Sequence, residues 1–178
     1  MGNQIEYSNL SITSVQNWVK RDVKELLGAP KLGKKYSVEQ TAVLFIVDDL
    51  KSTLDFDSIR KLLSMVFRHP DDESDDLITP LKLYAAYSSI FEELDINNDQ
   101  VLDLSGHAGG TRNHDHMMEN LIKQKVYRFV GTLPGLNADQ REAVSNAIVI
   151  ATISVQAAYF QALAKRFYTA ALFLQNLK

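Results

Sequence analysis

The sequence predicts an all-α protein, on three observations. Apolar residues recur at helical spacing behind N-capping signals through the first 70 positions. A 22-residue stretch, 143–164, carries no charged residue and is apolar over most of a helical circumference. Proline and glycine fall between the periodic segments, where helices must stop. The expected architecture is an N-terminal unit of short helices followed by a helical bundle with a long C-terminal helix.

Over residues 13–27, Val15, Val19, Val23 and Leu26 fall within about 80° of arc, which gives a helix with one core face. Tyr36-Ser37-Val38-Glu39-Gln40 opens the next helix: Ser37 as N-cap with Gln40 three residues on is a capping box, and the run AVLFIVDDL carries the helix to about Ser52. Asp55 caps a third, with Phe56, Ile59, Leu62, Leu63 and Val66 at helical spacing. HPDDESDD, residues 69–76, holds a proline, five carboxylates and nothing apolar, the composition of a solvated linker. The expected division is therefore a domain over 1–69, an acidic linker over 70–78 and a second domain over 79–178. In the latter, 81–94 reads as a helix, 95–114 as a polar loop and 117–130 as a helix ended by GTLPGLN. The uncharged stretch has the length of a membrane span, but Ser145, Asn146, Thr152, Ser154, Gln156 and Gln161 dilute it. It is expected as a bundle helix buried all round, covered by its own domain and by a second copy, with residues 138–177 as a homodimer interface. There is no internal repeat and no sustained heptad.

Composition narrows the function. With 46% apolar residues in 178, a packed core is available. The chain has no cysteine, so disulfides and thiolate metal sites are excluded. MGNQIEYSN lacks the basic-then-apolar pattern of a signal peptide, and a cytoplasmic protein without membrane attachment is expected. Net charge is −3, which argues against indiscriminate nucleic-acid binding. Yet residues 15–35 hold six basic side chains (Lys20, Arg21, Lys24, Lys31, Lys34 and Lys35) against Asp22 and Glu25, the footprint of a local patch.

At about 100° per residue, Gln16, Lys20, Lys24, Asn17 and Arg21 share an arc of about 140°. These types suit a major groove: Asn and Gln pair bidentately with adenine, Arg with guanine, and Lys meets phosphates. A solvated helix face has the same composition, so order along the chain matters. The helix is followed by a short connection with Gly, Pro and three lysines, GAPKLGKKYS, and then by two capped helices.

In this order, residues 10–66 resemble the MerR-like winged helix-turn-helix regulators, and more closely a bacterial MerR-like family of unknown function. The residues that carry the resemblance are Thr13-Ser14-Val15-Gln16-Asn17-Trp18-Val19-Lys20 and Lys34-Lys35-Tyr36-Ser37, then Leu44, Ile46, Leu50 and Lys51, then Leu54 and Asp57-Ser58-Ile59-Arg60-Lys61-Leu62-Leu63. The resemblance implies a recognition helix over Gln16–Lys24 in the major groove, a wing whose lysines Lys31, Lys34 and Lys35 flank it on phosphates, and Trp18 packed beside the core. A helix-turn-helix also has a supporting first helix, and here only Ile5, Tyr7 and Leu10 precede the turn.

Other sites are weaker. Asp95, Asn97, Asp99 and Asp103 follow a calcium-loop spacing, but Gln100 stands where the turn needs glycine and Gly106 where the bidentate Glu belongs. His107, His114 and His116 share a glycine-rich loop with Asp115, yet ordering such a loop costs entropy and no cysteine completes a soft site; solvated histidines are expected and no cofactor is. No phosphate-binding glycine loop, no Gly-x-Ser-x-Gly elbow and no acid-base pair on rigid elements is present, and Glu92 and Glu93 diverge on their helix. The expectation is a non-enzymatic transcriptional regulator that binds double-stranded DNA at a pseudo-palindromic operator as a dimer, with room for a small-molecule effector. The alternative is a helical protein-interaction module with a degenerate helix-turn-helix.

Overall fold

A computed structural model of the chain describes residues 11–70, 72, 74–101 and 111–175, excepting the side chains of 95–101, 111–117 and 174–175. The described residues form seven α-helices and one π-helical turn, with no strand beyond two isolated bridges. The all-α expectation holds.

The first predicted helix is broken in two. α1 (Ile12–Asn17) starts at Ser11, whose Oγ accepts from the Ser14 N–H at 3.1 Å. The chain then widens into a π turn, Trp18–Asp22, closed by the Val23 N–H donating to the Trp18 carbonyl at 2.9 Å, before α2 (Lys24–Leu27). The π turn re-phases the core face. Trp18, Val23 and Leu27 are its most buried side chains, at 5%, 0% and 1% exposure, whereas Val15, Val19 and Leu26 are half-buried. A spacing of five residues returns to one face only through a turn wider than α. Uniform 3.6-residue periodicity leaves Trp18 off the core arc; one inserted residue brings it in.

α3 (Val38–Leu50) has the predicted capping box: Ser37 Oγ accepts from the Gln40 N–H at 3.1 Å and Gln40 Oε1 from the Ser37 N–H at 3.0 Å. α4 (Phe56–Ser64) is capped by Asp55, whose carboxylate accepts from the Ser58 N–H at 2.7 Å; that bond lowers the Asp55 pKa. The acidic segment after it folds back on its surroundings. The Arg68 N–H donates to the Asp76 carboxylate at 3.0 Å, the Leu77 N–H donates to the Val66 carbonyl at 2.9 Å, and Ile78 is buried. The His69 ring pairs with Asp75, which raises the histidine pKa.

α5 (Pro80–Val101) starts against α3, the Leu81 N–H donating to the Glu39 carboxylate at 2.8 Å. It continues through 95–101, which were expected to begin a loop. Once 15 residues of helix are in place, extension through Asp and Asn costs only a few tenths of a kcal/mol per residue. α6 (Thr111–Gly131) likewise begins inside that expected loop. The turn into α7 (Ala138–Gln175) is fixed by Arg141, whose guanidinium donates to the carbonyls of Val130, Leu133 and Leu136 at 2.8–3.2 Å.

α3, α5, α6 and α7 pack side by side, and one buried cluster runs from Trp18 to Ala151. α7 has 38 residues and is about 57 Å long. Its first half is core: Val144, Ala147, Ile148 and Ala151 are no more than 2% exposed. From Phe160 onward no described side chain on it is buried, so burial all round, as expected from composition, does not hold within one chain. The helix is long and apolar enough to cross a membrane, with a mean hydropathy of 1.6 in its best window, a test that core helices of soluble proteins also pass.

Candidate nucleic-acid interface

The site is built around Gln40. Its side chain is 4% exposed and uses donor and acceptor alike: Nε2 donates to the carbonyls of Leu27 at 2.8 Å and Ala29 at 2.7 Å, while Oε1 accepts from the N–H of Lys31 at 3.2 Å and of Ser37 at 3.0 Å. One amide thus ties the end of α2 to both feet of the connection that follows. Between those feet the chain makes a two-residue hairpin. Leu32 and Lys35 exchange both backbone hydrogen bonds at 3.1 Å around Gly33-Lys34. Gly33 has φ +67° and Lys34 does not enter the left-handed region, the pattern of a type II′ turn with Gly in its first position. The hairpin leaves Lys31, Lys34 and Lys35 exposed.

All eight residues expected at a DNA interface are exposed: Gln16 and Asn17 on α1, Lys20 and Arg21 on the π turn, Lys24 on α2, and the three lysines of the connection. They do not lie on one uniform α-helix, because the π turn separates Gln16 and Asn17 from Lys24. Arg21 is paired with Asp22 at 2.9 Å, which raises its pKa and keeps it cationic.

The contacts of three supporting residues, Arg60, Lys51 and Phe56, escaped the sequence reading. Arg60 on α4 donates to the Asp22 carbonyl at 2.6 Å and pairs with Asp57, so α4 holds the end of the π turn. Lys51 places its ammonium 4.6 Å from the Trp18 ring centroid and 2.6 Å from the Asp48 carboxylate, while Phe56 meets Trp18 edge to face, with ring centroids 6.0 Å apart. Trp18 is therefore a packing residue, held by α3 and α4. Sequence offers no local sign of these contacts, since the partners lie 33 and 38 positions apart for the two Trp18 contacts and 38 apart for Arg60 and the Asp22 carbonyl.

Behind the site, Asp49 accepts a hydrogen bond from the Tyr87 hydroxyl at 2.6 Å. Burial pushes its pKa up to about 6, against the lowering effect of that bond. Tyr87, buried beside it, is raised well above its ordinary value. Three residues on, just past the end of α3, Ser52 Oγ donates to the Ser154 carbonyl of α7 at 3.0 Å, and the hydroxyls of Thr53 and Ser154 are 2.5 Å apart.

Among the described residues, no group of three or more His, Asp and Glu could hold a metal ion. His107 lies outside the described residues and the side chains of His114 and His116 are not described, as is so for Asp95, Asn97, Asp99 and Asp103. Between α5 and α6 there is a surface groove of about 360 Å³ beside Ala86, Ile90, Lys125 and Phe129.

Residues 2–89 match the profile of a family described as a domain of unknown function, DUF1836. The chain is also similar to the uncharacterized protein YkrK of Bacillus subtilis (strain 168), with 36% identity over 166 residues, covering 93% of this chain. The matched region spans 66% of that relative's length, a little under two thirds. No solved structure matches.

Proposed function

We propose that the chain is a DNA-binding transcriptional regulator of MerR-like winged helix-turn-helix type, acting in the cytoplasm as a homodimer and by binding rather than catalysis. The observation that carries this reading is the Gln40 clamp: it sets a closed, lysine-bearing hairpin at the end of a helical segment whose exposed side chains are Gln16, Asn17, Lys20, Arg21 and Lys24. In this reading the helical segment enters the major groove. Gln16, Asn17 and Arg21 read base edges, and Lys20, Lys24, Lys31, Lys34 and Lys35 meet phosphates. The dimer spans two half-sites of a pseudo-palindrome about 34 Å apart.

One observation favours a second reading, a non-enzymatic interaction module with a degenerate helix-turn-helix. The Arg21 guanidinium already has a carboxylate partner in Asp22, so a guanine contact requires Arg21 to exchange it. Gel-shift titration against fragments of the gene's own upstream region separates the two. The regulator binds one fragment in preference to others at moderate salt, whereas the interaction module binds none or all alike.

A further inference from the structure

Where α7 leaves the bundle, one of its faces carries a regular pattern. Ile153, Phe160 and Phe167 recur every seven residues, and Ala157, Ala164 and Ala171 fill the intervening positions at the same period. All six fall within an arc of about 80°, with Lys165 and Arg166 on the far side. Ile153 is 50% exposed, Phe160 52% and Phe167 70%, and Tyr168 at the edge of the face is 66% exposed. With about 150–250 Å² per aromatic side chain, this leaves roughly 300–450 Å² of aromatic surface in water on each copy. That is about half of the ~800 Å² that one partner buries in a stable interface, before the alanines and the helix flanks are included. A seven-residue repeat of apolar side chains is the register of helix pairing.

We propose that a second copy of this chain covers this face, the two α7 helices running antiparallel about a two-fold axis level with residue 162. This register is the one in which the pattern fits itself. It sets Phe160 against the partner's Ala164, Phe167 against the partner's Ala157 and Ile153 against the partner's Ala171, so every large side chain meets a small one. Alternating large and small residues across facing positions is what lets two layers interdigitate. A parallel pairing instead stacks Phe on Phe and Ala on Ala, giving overfilled and empty layers in turn. The two-fold also satisfies the rule for a closed dimer that contacts be reciprocal. The seam begins beside Ser154, whose hydroxyl and carbonyl are bonded to Thr53 and Ser52. Pairing along α7 therefore fixes the α3–α4 turn of one copy relative to that of the other. The inference rests on the dimeric reading proposed above and adds its face, direction and register.

Sedimentation equilibrium of the full chain, without DNA, should give twice the 20.0 kDa chain mass. Ala164→Glu should give the single-chain mass with unchanged helix content, since Ala164 is exposed. Direction is read by cross-linking, as the chain has no cysteine of its own. Ala157→Cys and Phe167→Cys chains, mixed and oxidised, should form a disulfide-linked heterodimer. Neither variant alone should do so, because in this register its own sulfurs are about 15 Å apart along the axis. A wild-type monomer, a dimer that survives Ala164→Glu, or cross-linking of each variant with itself overturns the proposal. So does a monomer that floats with phospholipid vesicles, which assigns the face to lipid. As no DNA is present, the pairing stands or falls by these readouts whatever the DNA titration gives.

Discussion

The side-chain amide of Gln40 donates to the Leu27 carbonyl 13 residues away, at 2.8 Å in a buried setting. With its three other bonds it closes the connection between α2 and α3. Gln40→Ala strips partners from two carbonyls and two N–H groups at a net of about 1 kcal/mol each. The expected cost is roughly 2–4 kcal/mol, read as a lower urea midpoint with an unchanged slope. Gln40→Glu should be as damaging at neutral pH, because it keeps the acceptor but loses both donations.

Trp18 is expected to behave as core. Trp18→Ala should cost about 3–5 kcal/mol, and as the chain has one tryptophan its fluorescence reports unfolding directly in every other variant. Lys51 serves both the Trp18 ring and the largely buried Asp48. Lys51→Ala should therefore destabilise by more than a cation–π contact alone, which contributes about 0.5–1 kcal/mol. Asp48→Asn in the same chain should recover part of the loss, and a double-mutant cycle measures the coupling.

Asp49 predicts the pH dependence. Its folded pKa of about 6 lies above that of an unfolded carboxyl. Its contribution to stability is therefore complete below about pH 4 and lost as pH rises through about 6. Asp49→Asn, which can still accept from Tyr87, should stabilise the protein at pH 7 by roughly 1–2 kcal/mol, with the gain vanishing by pH 4. Thermal melts of both proteins across that range check the sign.

Much of the N-terminal fold was legible because its determinants are local. Ser37 and Gln40 announce the start of α3 within four residues, and Asp55 announces α4 by the bond it makes to the Ser58 N–H. The π turn was not legible, because periodicity assumes one residue angle throughout and Trp18 sits one insertion off phase. Arg60 and the second role of Gln40 were hidden by sequence separation. The polar residues of 95–101 suggested a loop where an established helix simply continues. The seam on α7 was masked because the same helix also carries a core face, through Val144, Ala147, Ile148 and Ala151, and two superposed patterns read as apolar all round. At the proposed interface, residue types and exposure were legible, whereas the break between Asn17 and Lys24 was not.

Contacts with DNA divide by role. Arg21→Ala should weaken binding at the cognate site by about 1–3 kcal/mol and relax preference at one base pair. Lys34→Ala, at the exposed tip of the hairpin, should weaken binding to all sequences alike and reduce the salt slope by about one.

The most direct test of DNA recognition is an anisotropy titration of the full chain with a duplex from its own upstream region and a scrambled duplex, between about 50 and 200 mM salt. A dimeric regulator predicts saturable binding that favours the native duplex by about 10³ or more. It also predicts a steep salt dependence that Lys34→Ala flattens. Equal affinity for both duplexes, or no binding at the lower salt, contradicts it.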